Sequence, residues 1–124
     1  MWSNVLLVAL GGGLGATLRY GLGLAAEKLV PTAWIPLGTL TANVLGCLAI
    51  GYVLGRWEDG LTDRSRLFVV TGLLGGLTTF SSFAGESFNL GVTSGAGRLL
   101  ANVSLHLTLG LAGVWVGFFV ARRS

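Results

Sequence analysis

The stretch Gly72-Leu-Leu-Gly-Gly-Leu-Thr-Thr-Phe-Ser-Ser-Phe83 decides how this chain folds. It lies inside a long apolar run, yet it combines three glycines, four hydroxyl residues and two phenylalanines. In hydrocarbon every backbone polar group needs a partner, so irregular backbone persists only where protein or a water-filled path surrounds it. The stretch therefore predicts a membrane-spanning helix that is broken near its middle, and the break is a candidate site for an ion or a polar solute.

The composition points to the same class. The chain has 124 residues, of which 52% are hydrophobic and only 10% are charged, whereas a soluble domain carries about 25% charged residues. Its 21 glycines are accompanied by only 2 prolines and no low-complexity run, and glycine is frequent in membrane helices because it lets helix backbones approach closely. We therefore predict an all-α membrane protein rather than a disordered or collagen-like chain.

Four segments are apolar over the roughly 20 residues that a helix needs to cross about 30 Å of hydrocarbon. They run approximately over Asn4–Ala26, Trp34–Gly55, Leu67–Leu90 and Leu99–Ala121. Residues 1–124 are accordingly interpreted as one four-helix transmembrane domain.

Pairs of small residues four positions apart recur in every span, which favours close helix packing within and between chains and suggests a dimer or higher oligomer. These pairs are Gly11/Gly15, Ala42/Gly46, Gly51/Gly55, Gly72/Gly76 and Gly113/Gly117.

The basic residues bear on topology. Four spans place both termini and the Arg56–Arg66 connection on one side, with five Lys or Arg residues against two on the other, which favours a cytoplasmic location for the termini. The 8 Lys and Arg residues are scattered, so no nucleic-acid-binding surface is expected.

The single cysteine, Cys47, lies in an apolar run and is expected to pack there.

Polar side chains within spans are candidate functional groups. On the second span Thr39 and Asn43 share a face, and on the third Phe80, Phe83 and Glu86 form one stripe. Two plain alternatives remain open: Asn43 as an interhelical hydrogen bond that holds the bundle together, and Glu86 as a side chain that snorkels towards the end of its span.

On the fourth span Asn102 and His106 share a stripe, and Ser104 and Thr108 share a neighbouring one. One histidine and one cysteine do not make a zinc site. His106 is therefore expected to act as a hydrogen-bonding group.

The candidate residues indicate what the site binds. Aromatic rings have positive edges, so Phe80, Phe83 and the Asn43 amide would form a weakly electropositive site without a fixed charge. Hydroxyl donors would come from Thr39, Ser81 and Ser82. Such a site suits a small, hard anion, although carbonyls freed at a Gly75–Thr78 break would suit a cation. The residues by themselves thus indicate a small ion or polar solute.

Three segments carry a resemblance: Gly11-Gly-Gly-Leu-Gly-Ala-Thr-Leu-Arg-Tyr20, Gly38-Thr-Leu-Thr-Ala-Asn-Val-Leu-Gly46 and Thr71–Phe83 followed by Glu86. Along nearly its whole length the chain resembles the Fluc (CrcB) family of small bacterial fluoride channels. The third segment is the most specific of the three.

The resemblance implies an antiparallel, dual-topology homodimer in the lipid bilayer, with two fluoride pores lined by Asn43, Phe80 and Phe83. A hydroxyl track would map to Thr39 and Ser81, and to Ser82 where the family commonly has threonine. Further pathway candidates are Arg19, Glu86 and His106.

The resemblance also implies a structural sodium ion at the dimer centre, held by the backbone carbonyls of Gly75 and Thr78 from both chains. Dual topology implies a near-even balance of basic residues on the two sides, whereas the observed distribution favours one orientation.

The expected function is passive fluoride export across the bacterial plasma membrane. No set of nucleophile, base and orienting group is visible, so the chain is not expected to be an enzyme. Two alternatives stay open: a dual-topology small multidrug-type secondary transporter, and a membrane assembly factor that transports nothing.

Overall fold

The computed structural model describes residues 1–56 and 62–123, and all the regular secondary structure in these residues is helical. The elements are α1 (Trp2–Leu29), α2 (Leu37–Gly55), α3 (Asp63–Arg66), a π-helical segment (Leu67–Leu74), α4 (Gly75–Leu77), α5 (Phe80–Ser94) and α6 (Ala96–Arg123). Helices α1, α2 and α6 and the compound span Asp63–Ser94 are each long and apolar enough to cross a membrane. The prediction of an all-α protein with four transmembrane helices is confirmed.

The helices differ from the apolar segments mainly at their ends. Helix α1 extends beyond Asn4–Ala26 at both ends, because hydropathy records the hydrocarbon thickness while a helix continues into the interface. Helix α2 begins only at Leu37, not Trp34, since Pro36 occupies its N-cap and a proline disfavours helical backbone in the residue before it. Of the predicted Arg56–Arg66 connection, residues 57–61 lie outside the described part of the chain.

Close backbone contacts hold the bundle together. Helix α1 packs along the π-helical segment and α4, and α2 packs along α6. A Cβ atom added to Gly76 would lie 3.0 Å from the Cα of Gly12 and against its carbonyl oxygen, and one added to Gly51 would press on the backbone of Val114. The small-residue pairs therefore allow helix approaches that any side chain would prevent.

Few large side chains are buried in the single chain. The buried apolar cluster consists of Ala42, Leu74 and Leu77, with Leu22, Ala49 and Ile50 packed against it. Long apolar side chains on α1 and α6 point outwards instead, as expected for helices whose surroundings are hydrocarbon or another apolar chain.

The third span is broken, as predicted, but the position of the break differs from the predicted one. Gly75 and Gly76 remain helical, and the backbone becomes extended at Thr78 (φ −84°, ψ 152°) and Thr79 (φ −149°, ψ 114°). The prediction began the break at Gly75 because glycine weakens helices. In the structure Gly76 instead allows close approach to α1.

A candidate ion pathway around the break in the third span

The side chain of Asn43 on α2 holds the break in place. The Thr79 N–H donates to Asn43 Oδ1 at 2.8 Å, and Asn43 Nδ2 donates to the Thr79 carbonyl at 3.3 Å. In a continuous helix the Thr79 N–H would bond to the Gly75 carbonyl. The Asn43 side-chain oxygen therefore takes the place of the Gly75 carbonyl as the acceptor for the Thr79 N–H. The Gly75 carbonyl is left without that donor.

Arg19 on α1 makes a second replacement at the next carbonyl. Its Nε donates to the Gly76 carbonyl at 3.2 Å, an oxygen that would accept the Phe80 N–H in a continuous helix. The half-buried guanidinium also lies near the carboxyl end of the helical run 63–77, where a cation is favoured by the helix dipole.

Thr79 begins α5 as its N-cap. Its Oγ1 accepts from the Ser82 N–H at 3.2 Å and donates to Ser82 Oγ at 3.1 Å, and Ser81 Oγ lies 3.3 Å away. The carboxyl end of one helical run and the amino end of α5 thus meet within three residues. The first end presents carbonyl oxygens that suit a cation, and the second presents amide protons that suit an anion.

A cavity of about 480 Å³ opens beside the break, and we call it the break cavity. Its polar or aromatic lining consists of Asn43, Thr78, Thr79, Phe80, Phe83 and His106, and the rest of its wall is apolar apart from Gly46, Gly75 and Cys47. The Phe80 and Phe83 rings meet edge to face, with centroids 5.7 Å apart and an interplanar angle of 61°. Phe80 is 79% exposed in the single chain, so one chain does not enclose this ring.

A second cavity, of about 530 Å³, lies between α1, the α1–α2 connection, α2 and α5, and we call it the Glu86 cavity. Its charged lining residues are Arg19, Glu27 and Glu86. Thr39 Oγ1 donates to Glu86 Oε1 at 2.6 Å. Because a hydroxyl has a single proton, Thr39 in this arrangement has none left to offer to an anion.

Comparison with known proteins identifies the family of this chain. A family model described as CrcB-like protein, Camphor Resistance (CrcB), matches residues 6–118. This chain belongs to the CrcB family. The resemblance inferred from its motifs is therefore confirmed.

Several relatives of the CrcB chain are named fluoride-specific ion channel FluC. The one from Hyphomonas neptunium is 45% identical over 128 residues, covering 98% of this chain and 97% of the relative. The one from Solibacter usitatus is 46% identical and covers 95% and 98%, and the one from Chloroflexus aurantiacus is 53% identical over 71% of each chain. With four spanning helices, this CrcB protein is a multi-pass bacterial membrane protein.

The predicted site residues of the CrcB chain fall into three groups. Asn43, Phe80, Phe83, His106, Gly75 and Thr78 line the break cavity, while Arg19, Thr39 and Glu86 line the Glu86 cavity. Ser81 and Ser82 lie in the first turn of α5, against Thr79. The shared face of Thr39 and Asn43 on α2 thus spans both cavities.

Sequence reasoning singled out the neighbours of Thr79 but not Thr79 itself, which bonds to Asn43 and caps α5. The sequence did contain a capping signal. A threonine that directly precedes a helix commonly accepts, through its side-chain oxygen, a hydrogen bond from the backbone N–H two or three residues further on. Within the described residues no cluster of three His, Cys, Asp or Glu side chains is present.

Asn43→Leu tests the role of the amide at the break. It leaves the N–H and the carbonyl of half-buried Thr79 without these partners, and each unsatisfied group costs about 1–3 kcal/mol. We expect a clearly lower thermal unfolding midpoint in detergent, measured by circular dichroism. Asn89→Leu, at an exposed position on α5, is the matched control. Equal midpoints for the two variants would contradict the role assigned to Asn43.

Proposed function

We propose that this protein is a fluoride-selective channel that lets fluoride leave the bacterial cell passively. The observation that carries the proposal is the break cavity, in which two phenylalanine rings, an asparagine amide and the amino end of α5 meet. The names of the relatives support the same ion. They also speak against the multidrug-type transporter and the assembly factor, since these relatives are named as ion channels.

The chemistry of the break cavity suits fluoride. Phenylalanine edges carry partial positive charge, and Asn43 keeps a second N–H beyond the one donated to Thr79. Among the described residues that line this cavity there is no Lys or Arg. Weak donors without a fixed cation compensate for lost hydration while leaving the anion free to move on, as conduction requires.

The physiological direction follows from acid–base chemistry. Hydrogen fluoride crosses a bilayer as a neutral molecule and dissociates in a less acidic cytoplasm, which traps the anion. The membrane potential, negative inside, drives a permeant anion outwards. A passive fluoride pore therefore lowers internal fluoride without an energy source.

We propose further that two chains form an antiparallel homodimer with two pores. The largely exposed Phe80 ring, exposed Gly75 and exposed Ser81 all lie around the break within the third span. Exposed hydroxyls and freed carbonyls at membrane depth are stable only when protein or a water path covers them. A second copy of the chain would supply that cover.

The sodium ion belongs to the same proposal. The Gly75 carbonyl loses its usual helical donor, since the Thr79 N–H goes to Asn43, and Thr78 is extended. Two chains related by a two-fold axis would bring four such oxygens together, which suits a dehydrated monovalent cation. The ion would be structural rather than transported.

Phe80→Ile and Phe83→Ile test the pore. Isoleucine keeps apolar bulk but removes the positive ring edge, so fluoride efflux from liposomes should fall at least about tenfold, the effect of losing about 1.4 kcal/mol. A fluoride electrode measures the efflux while an ionophore carries the balancing charge. Phe88→Ile, an exposed phenylalanine on α5, should behave as wild type. Wild-type rates in both pore variants would refute the aromatic-edge account.

Dual topology is tested by labelling. In a Cys47→Ala background, a cysteine replacing exposed Thr32 and, separately, one replacing exposed Thr62 mark opposite ends of the bundle. An impermeant maleimide added outside cells should label about half of the chains at each position, because antiparallel subunits present both ends on both sides. Labelling confined to one position would indicate a single orientation.

The sodium proposal is tested at Gly75. A Cβ there would meet only the Val70 carbonyl, at 3.8 Å within its own chain, so Gly75→Val should fold yet lose dimer and flux. Gly21→Val, where a Cβ meets nothing within 4 Å, is the control. Long exchange of sodium for N-methyl-D-glucamine should likewise reduce flux and dimer, measured by single-molecule photobleaching. Unchanged dimer and flux after that exchange would exclude an essential sodium ion.

A further inference from the structure

A buried chain of hydrogen bonds joins α5 to α6 directly behind Phe83. Asn102 is fully buried on α6, and its Nδ2 donates to Ser87 Oγ at 2.9 Å. Ser87 in turn donates its hydroxyl proton to the Phe83 carbonyl at 2.7 Å. The backbone of Phe83 is thereby connected to Asn102 on the neighbouring helix.

A second connection from Asn102 reaches the Phe83 ring. His106 Nδ1 lies 3.0 Å from the Asn102 carbonyl oxygen. Because a carbonyl only accepts hydrogen bonds, Nδ1 must carry the proton, which sets the orientation of the imidazole. That imidazole lies against the Phe83 ring, with centroids 4.5 Å apart and an interplanar angle of 38°.

We propose that Asn102, Ser87 and His106 form a positioning set that fixes the orientation of the Phe83 ring in the break cavity. Ser87 holds the backbone of the residue and His106 holds its ring, and both bond to Asn102. Neither Asn102 nor Ser87 lines the cavity, so both act through Phe83.

Ring orientation matters because an aromatic side chain presents a positive edge or a negative face, depending on its rotation. A ring free to turn would offer its face to an anion for part of the time. In the proposed fluoride channel, on which this step rests, the positioning set would keep the edge directed at the pathway and so support selection of fluoride over larger anions.

The burial of the polar side chains of Asn102, Ser87 and His106 indicates that their positions are determined by their hydrogen bonds rather than by packing alone. Burying an amide without hydrogen bonds costs several kcal/mol in hydrocarbon, and leucine would fill a similar volume without that cost. Within the positioning set, Asn102 Oδ1 and His106 Nε2 are buried without a hydrogen-bond partner among the described residues. The set thus tolerates two unsatisfied atoms while keeping the bonds that connect to Phe83.

Ring motion provides a test that does not depend on transport. The protein is prepared in nanodiscs with ¹³C-labelled phenylalanine rings, and the Phe83 signal is assigned by its loss in Phe83→Leu. Ser87→Ala should increase the Phe83 ring-flip rate at least about tenfold, equivalent to about 1.4 kcal/mol of lost restraint. Ser87→Thr keeps the hydroxyl and should retain the wild-type rate.

Transport provides the second readout. Efflux of fluoride and chloride from liposomes should show a lower fluoride preference in Ser87→Ala and in Asn102→Leu, and an unchanged one in Ser104→Ala, an exposed hydroxyl on α6. His106→Leu removes the ring contact by a separate route and should loosen Phe83 even if Asn102→Leu fails to fold.

The outcomes separate the two proposals. Wild-type ring-flip rates in Ser87→Ala and His106→Leu would overturn the positioning role, even if their unfolding midpoints fall, because that combination describes packing alone. A wild-type protein that carries no fluoride in liposomes would overturn the proposed function instead, and the ring-flip rates would still decide whether the positioning set restrains Phe83.

Discussion

The structure depends on one constraint, that extended backbone inside hydrocarbon needs hydrogen-bond partners from elsewhere in the protein. At Thr79 that partner is the Asn43 amide, which bonds to both the N–H and the carbonyl. The amide has a donor and an acceptor side by side, so it can replace a peptide group. Without it, the Thr79 N–H and carbonyl would lack these two partners, whereas a continuous helix would pair that N–H with the Gly75 carbonyl, so the break would be unfavourable.

The break in turn creates an environment that neither half of the span has alone. The carboxyl end of the helical run 63–77 and the amino end of α5 face the same small region, with Arg19 bonded to the Gly76 carbonyl. Along an uninterrupted helix, backbone carbonyls and amide protons form hydrogen bonds with each other. Here the interruption makes both available to ions at membrane depth.

Close packing is what brings these groups within reach. Gly76 lies so near Gly12 that a methyl group would not fit between them, and this proximity brings α1, and with it Arg19, to the Gly76 carbonyl. On the other side of the break, Asn102 and Ser87 connect α5 to α6. Rigid support on both sides is suited to a weak ion site, in which small displacements of rings and dipoles change affinity.

Much of the fold could be predicted from the sequence, because the constraints that a membrane imposes act on each span separately. Hydrocarbon thickness sets the length of a span, and a run of glycines and hydroxyls is a poor uninterrupted helix, so four spans and a broken third were predictable. The family was also readable, since its motifs are short and contiguous. The candidate site was predicted from Asn43 on the second span and from Phe80 and Phe83 on the third.

Other features were decided only by tertiary structure. The break begins at Thr78 rather than Gly75, and Thr39 bonds to Glu86 in a cavity apart from the one that Asn43 lines. These outcomes depend on partners 36 to 57 residues apart, as in the bonds of Asn43 to Thr79 and of Arg19 to Gly76. Sequence pattern determines which residues share a helix face. Only packing determines which faces meet, and in a membrane the meeting faces decide where backbone can leave the helix.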